Sequence, residues 1–259
     1  MAAAKIFKDR MNTPQFIVSA KTLQKKEIHL DSREHFHMVR VRRLEPGSLV
    51  RLVDGLGSLA HARIRQILPE GVVLERSGPV ESADDSVPLE VILAIIKGER
   101  MDLSILQLSE IGIRQIQPVI TSRTIVRPDP SRLARKWERW QALSLHGLKQ
   151  CRGIRATKVL KPRRVEEALP SFTKGGERII FCQDHQGTGL LDILKGQGLP
   201  LPVVTAIGPE GGFSREEIGL FVEHGFKPAG LGPRILRSGT AAVYSAAVIS
   251  EYLRGRDKA

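Results

Sequence analysis

From Leu89 onward the chain alternates between short apolar runs and segments of helical period, and this alternation restricts the fold more than any other feature. "LEVILAIIKG" reads as a buried strand, "DLSILQLSEIG" as a helix closed by Gly112, and "QIQPVIT" as the next strand. Continuous apolar strands separated by helices are satisfied on both faces in a mostly parallel sheet with helices packed against it, which is α/β order. Ser131 is placed to cap a long helix in which Leu133, Trp137, Trp140 and Leu148 fall near one face, with Arg132, Arg135, Lys136 and Arg139 largely elsewhere. The two tryptophans are therefore read as core. "RIIFC" (178–182) and "PVVTAIG" (202–208) follow as strands, then a helix from Ser214 to His224, the bend "AGLG" (229–232), and the terminal helix "TAAVYSAAVISEYLR".

The part before residue 86 has a different rhythm. "QFIV" (15–18), "LVRLV" (49–53), "LAHARIRQI" (59–67) and "VVLE" (72–75) are short strands, punctuated by "EPGS", "DGLGS" and the hairpin turn "LPEG". A small β-barrel is the simplest architecture. "SGPVESADDSVP" (77–88) is polar, acidic and proline-bearing, as an interdomain linker is. Two domains are expected, 1–85 and 86–259.

Charge points to a class of partner. Of a formal net charge of +12, the excess lies in residues 97–165, where 16 Lys and Arg face 5 Asp and Glu. Such a segment favours a polyanion, because each cation that neutralises a phosphate releases condensed counterions; a solubilising face is the alternative. No apolar run approaches the length of a bilayer span and "MAAAKIFKDRMNTPQF" lacks the apolar core of a secretory signal, so a cytoplasmic location is expected. Cys151 and Cys182 have no metal spacing and read as free thiols. His35 and His37 share strand-like spacing without an evident third ligand, and no metal is expected.

Two bends stand out in the α/β part. In "TAIGPEGGFSREEI" (205–218), Ser214 and Glu217 have the spacing of a capping box, so the glycines before them serve either a tight connection or the close approach of a ligand to the backbone. The segment fits neither G-x-G-x-x-G nor the P-loop pattern. About twenty residues later "LGPRILRSGTAAVYSA" (231–246) repeats a Gly-Pro bend, sets Arg234 and Arg237 three apart, and leads into a helix with Ser238 or Thr240 as candidate caps. Two such bends at the C-terminal ends of strands lie where open α/β sheets bind ligands.

Taken in order, "KGERMDLSILQLSEIGIRQIQPVITSRTIV", "RWQALSLHGLKQCR", "IGPEGGFS" and "LGPRILRSGTA" resemble the successive motifs of the RsmE family, the 16S ribosomal RNA uridine-1498 N3-methyltransferases of the SPOUT class. "HFHMVRVRRLEPGS" resembles that family's opening domain, and the likeness runs over essentially the whole chain. The resemblance implies an N-terminal PUA-like β-barrel for RNA, and a C-terminal SPOUT domain with a parallel sheet and a trefoil knot at its chain end. It also implies an active site at a homodimer interface and S-adenosylmethionine as cofactor. Phe181, Ile207, Gly208, Gly211, Gly212, Leu231, Gly232, Ile235 and Leu236 are then the cofactor-binding candidates. Two departures are visible: "RSGTA" places Gly239 where the family has a glutamate in "RTETA", and Lys149-Gln150 stands where it has "EQ".

Methyl transfer to uridine N3 requires loss of a proton and stabilisation of negative charge on the uracil. Arg234 and Arg237 are the candidates for orienting the uracil or its phosphate, and Glu210 for taking the proton or favouring the sulfonium, with a structural turn residue as its alternative reading. Arg40, Arg42 and Arg43 on the first domain, of which Arg40 and Arg42 alternate as on a strand face, and Lys97, Arg123, Arg127, Lys149 and Arg152 on the second, are the candidates for contact with 16S rRNA in the 30S subunit. Two rival readings keep the fold: an RNA-binding assembly factor without transfer, and a SPOUT enzyme acting on transfer RNA or another rRNA position.

Overall fold

The computed structural model describes residues 13–30, 36–124, 129–172, 175–183, 187–196 and 198–256. They separate into two compact units. The first holds the described residues up to Asp85 together with Leu148–Ala156, and the second holds Ser86–Gly147 and the residues from Thr157 onward. Lys149 and Arg152 thus pack with the first unit, although sequence order assigns them to the second domain. The reason is local bonding: the Asp85 carboxylate accepts the N–H groups of Ile154 and Arg155, the Gln15 amide donates to the Gly153 carbonyl at 2.8 Å, and Leu148 and Ile154 bury against Val53 and Leu59.

The first unit is a six-stranded sheet. Its elements are β1 (Gln15–Ile17), α1 (Ala20–Leu23), β2 (Glu27–Leu30), β3 (Leu49–Val53), β4 (Ser58–Leu68), β5 (Gly71–Arg76) and β6 (Glu81–Ser82). The path is β1-β3-β4-β5-β2 with β6 on β4; among the described residues only the β1–β3 pairing is parallel. Alternation along β4 buries Ala60, Ala62 and Ile64 and leaves Arg63 and Arg65 in solvent, as a period of two requires. The hairpin closes where Leu68 pairs with Gly71, and a Cβ at Gly71 would sit 2.7 Å from the Leu30 carbonyl oxygen, so β2 passes too close for any side chain there.

Arg40 and Arg42 do not alternate on a strand. Phe36–Val41 is a π-helical turn that carries Arg40, and Arg42 lies at the bend beyond it. The turn drives Met38 into the core, and the Met38 carbonyl accepts from the Leu44 N–H at 3.0 Å. Arg40, Arg42 and Arg43 are all exposed. His35 lies outside the described residues, and the His37 backbone belongs to the same turn.

The second unit runs β7 (Val87–Ala94), α2 (Glu99–Ile111), β8 (Ile113–Ile120), α3 (Pro130–Cys151, whose end from Leu148 belongs to the first unit), β9 (Lys158–Val159), β10 (Arg163–Arg164), α4 (Val165–Ala168), β11 (Glu177–Phe181), α5 (Leu190–Lys195), β12 (Val203–Ile207), α6 (Arg215–Glu223), β13 (Lys227–Ala229) and α7 (Ser238–Arg256). The sheet order is β10-β8-β7-β12-β11-β13, with β9 also on β8, and every pairing is parallel. Successive side chains of β7 feed opposite faces. Leu89, Val91 and Leu93 pack with Ile105 and Leu108 of α2, Trp140 of α3 and Ala242, Ala246 and Ile249 of α7. Ile92 and Ala94 pack with Leu169, Phe213, Phe221 and Phe226 on the other face.

Helix ends follow local chemistry. α2 stops at Gly112, which adopts the left-handed conformation at φ 80°. α3 starts one residue after Asp129, whose Oδ1 accepts from the backbone N–H groups of Ser131 and Arg132; the cap is this carboxylate and not Ser131, which lies within the first turn. Trp140 is buried and its indole N–H donates to Asp102 at 2.9 Å, while that of Trp137 donates to the Val159 carbonyl, so both rings serve the core. α7 begins at Ser238, and the Arg237 carbonyl accepts from the Ala241 N–H, which puts Ser238 and Thr240 inside the helix rather than at its cap. Among the described residues no helix is long and apolar enough to cross a membrane.

Candidate cofactor cleft

The cleft is built at the C-terminal ends of β11, β12 and β13. β12 is fully buried and ends at Ile207, after which the chain must turn sharply. A Cβ on Gly208 would lie 2.9 Å from the Phe213 nitrogen and 3.0 Å from the Gly212 carbonyl carbon, so glycine is needed for the bend to fold onto itself. Gly212 has φ 67° and its N–H donates to the Pro209 carbonyl at 2.9 Å. Gly211 has neither constraint: a Cβ there would meet only Arg123, at 3.6 Å. Phe213 then anchors the bend, its ring 4.8 Å from that of Phe221.

The capping box at Ser214 forms in full. The Ser214 hydroxyl accepts from the Glu217 N–H and the Glu217 carboxylate accepts from the Ser214 N–H at 2.8 Å. Glu217 is buried and its other oxygen accepts from the Ser122 N–H at 2.7 Å, which ties the loop after β8 to the start of α6. Beside Ser122, the Arg123 guanidinium donates to the Gly211 carbonyl at 2.7 Å. The Ser214 hydroxyl and the Glu216 backbone N–H hold the exposed Glu216 carboxyl below the usual carboxylate range, with Arg123 and Arg215 adding to the effect.

The opposite wall follows β13. Gly232 turns the chain at φ 102°, and among the described residues no hydrogen bond engages the main chain of residues 231–236. Phe181, Ile207, Gly208, Gly211, Gly212, Leu231, Gly232, Ile235 and Leu236 all line this one cleft, with apolar side chains for flat faces and bare backbone for polar edges. That combination fits the adenine and ribose of S-adenosylmethionine.

The other candidates fall into separate places. Arg234 lines the cleft and is exposed. Arg237 does not; it borders a neighbouring groove with Arg100, Ser104, Gln107, Gly239 and Tyr244. Glu210 is at the bend but outside the cleft lining, 3.9 Å from Arg100. Lys97 is exposed after β7, Lys149 and Arg152 are half-buried in the first unit, and Arg127 lies outside the described residues. Sequence reasoning did not name Cys182, Gln183, Phe213 and Ser238 for the cleft, and it read Arg123 only as an RNA contact, yet all five line it. Cys182 and Gln183 directly follow Phe181, so the end of β11 is the signal that would have found them.

Comparison with known proteins agrees with this geometry. Residues 83–250 match the RNA methyltransferase domain and residues 30–75 the RNA methyltransferase PUA domain. The chain is 30% identical over 226 residues to ribosomal RNA small subunit methyltransferase E of Mycobacterium bovis, covering 82% of each, and 27% identical over 240 residues to that of Synechocystis, covering 92% of this chain and 78% of the relative. Among solved structures, the Neisseria gonorrhoeae methyltransferase E bound to S-adenosyl methionine superposes with a TM-score of 0.80 at 26% identity, covering 93% of this chain and 98% of that one. With a PUA-type first unit, a parallel-sheet second unit and a cleft between two glycine bends, the chain belongs to the RNA methyltransferase family and, within it, to the ribosomal RNA small subunit methyltransferase E enzymes.

Proposed function

We propose that this enzyme methylates N3 of a uridine of 16S ribosomal RNA, at the position numbered 1498, with S-adenosylmethionine held in the cleft between the Gly208–Gly212 and Leu231–Leu236 bends. The observation that carries the reading is the convergence of both bends on one cleft whose second wall keeps its peptide groups unbonded among the described residues. When bound, the sulfonium supplies an electrophilic methyl group. Leu231, Ile235 and Leu236 would pack on the adenine faces while backbone groups of the same loop pair with its edge. Arg234, at the mouth, is suited to stabilise the negative charge that develops on the uracil as its N3 proton leaves. Glu210 is the nearest motif carboxylate for that proton, with the Arg100 guanidinium 3.9 Å away.

The reading extends to the partners. Residues 1–85 would hold RNA as a PUA-like domain through Arg40, Arg42 and Arg43, helped by Lys97, Lys149 and Arg152. Residues 86–259 would form the catalytic domain, knotted at its chain end and active as a cytoplasmic homodimer on the 30S subunit. Arg237, in the groove beside the cleft, would take a phosphate or the flipped base. The test is transfer of labelled methyl to 30S particles lacking the modification, followed by mass mapping of the rRNA. Label on one 16S uridine is expected; label on another RNA, or none with cofactor bound, would replace the reading by one of its rivals.

A further inference from the structure

We infer that Arg123 is a positioning residue for the cofactor, acting through the Gly211 carbonyl, rather than one more phosphate contact of the basic segment; this rests on the cofactor reading of the cleft. The peptide between Gly211 and Gly212 has no side chain on either flank, and such a unit rotates more freely than any other. In this fold it is held at both ends. Its carbonyl accepts from the Arg123 guanidinium at 2.7 Å, and its N–H donates to the Pro209 carbonyl at 2.9 Å. Arg123 also reaches the Phe213 carbonyl, at 3.4 Å, so one guanidinium spans the end of the bend.

Arg123 is itself fixed at its base. Its neighbour Ser122 donates its N–H to the buried Glu217 carboxylate, and Thr121 is bonded to Thr124 through both its N–H and its hydroxyl. The loop after β8 is thereby attached to the bend at two points, one through Glu217 and one through Arg123. Only the second touches a peptide that lines the cleft. A charge-assisted bond to a carbonyl is among the stronger hydrogen bonds a surface can make, and a guanidinium committed to two carbonyls has less to offer a phosphate.

The experiment compares wild type, Arg123→Lys and Arg123→Ala. Calorimetry with S-adenosylmethionine gives cofactor affinity, steady-state transfer gives KM and kcat separately, and titration with 16S rRNA over a range of salt gives the electrostatic slope. Arg123→Ala is expected to weaken cofactor binding about tenfold, to raise KM for the cofactor while leaving kcat within about twofold, and to leave the salt slope unchanged; Arg123→Lys restores part of the affinity. Unchanged cofactor affinity together with a salt slope smaller by about one would make Arg123 a phosphate contact and overturn the inference. A wild type that binds no S-adenosylmethionine would overturn the reading of the cleft itself, and the inference with it. Arg123→Gln, which keeps a shorter donor, serves if Arg123→Ala fails to fold.

Discussion

Three glycines within five residues invite the same substitution, yet the geometry predicts three different outcomes. At Gly208 a methyl group would stand 2.9 Å from the Phe213 nitrogen and 3.0 Å from the Gly212 carbonyl carbon. Both are backbone atoms of a bend pinned by Phe213 and the capping box, so relief requires the bend itself to open. Overpacking of this kind costs about 2 kcal/mol, a fall of roughly 4–8 °C in Tm for a chain of this size. At Gly212 the space is open but φ is 67°; the left-handed penalty, less the entropy removed from the unfolded chain, leaves about 1 kcal/mol. At Gly211 neither effect applies, and alanine should be neutral or slightly stabilising.

Cofactor binding should rank the positions differently. Gly211→Val keeps the fold but adds a branched side chain beside Arg123 in a bend that lines the cleft, so S-adenosylmethionine affinity should fall at least about tenfold with Tm nearly unchanged. Thermal unfolding and calorimetry on the three alanine variants and Gly211→Val separate the two quantities. Equal loss of Tm at Gly208 and Gly211, or undiminished cofactor affinity in folded Gly211→Val, would refute the assignment of the first glycine to the bend and the second to the ligand.

Replacing Arg40, Arg42 and Arg43 together by Ala should weaken rRNA binding and reduce the salt slope by roughly 0.7–0.9 for each phosphate no longer neutralised, without changing cofactor affinity; an unaltered slope would mean that these exposed side chains meet only solvent. The Asp129 carboxyl is held below its usual range, first by the Ser131 hydroxyl and then by the Arg132 N–H. Its folded value is depressed, so its stabilisation of α3 is complete above the ordinary aspartate value and is lost as pH falls through the folded one; Asp129→Asn should remove that part of the acid dependence in helix content read by circular dichroism. Gly239→Glu should lower Tm, and adding Ser104→Ala should recover most of the loss.

The strands and helices of the second unit were legible because parallel strands buried on both faces are largely apolar, as β7 and β12 are apart from Glu90 and Thr205, and because helices between them carry a period that no strand imitates. That the residues of the two bends meet in one cleft was legible for a similar reason: sharp main-chain turns leave glycines at strand ends. What escaped was set by contacts distant in sequence. Asp85 recruits Ile154 and Arg155 to the first unit from some seventy residues away, and no local pattern announces it. Arg123 belongs to the bend because Glu217, ninety-five residues after Ser122, holds the loop there; in a basic segment it reads as any other cation. Arg40 and Arg42 misled because a spacing of two over so short a stretch does not require a strand: here the chain passes from a π-helical turn that buries Met38 into a bend.

Gly239 can be weighed in the same terms. The motif that "RSGTA" resembles carries a glutamate at this position, and its absence would mean a lost catalytic group only if the space and charge for it remain. The space does not. A Cβ at 239 would lie 2.7 Å from the Ser104 hydroxyl oxygen, which is buried and donates to the Arg100 carbonyl at 2.8 Å. Rotating Ser104 away breaks that part-buried bond, a loss of about 1 kcal/mol. Nor is Arg100, in the same groove, short of a carboxylate, since Glu210 stands 3.9 Å away. Gly239 and Ser104 are therefore two halves of one packing solution between α7 and α2. On this argument Gly239→Glu lowers stability and leaves kcat close to wild type, and the double variant with Ser104→Ala restores stability without raising kcat. A single variant that kept full stability and gained more than about tenfold in transfer would show that the glutamate's absence had emptied a catalytic position instead.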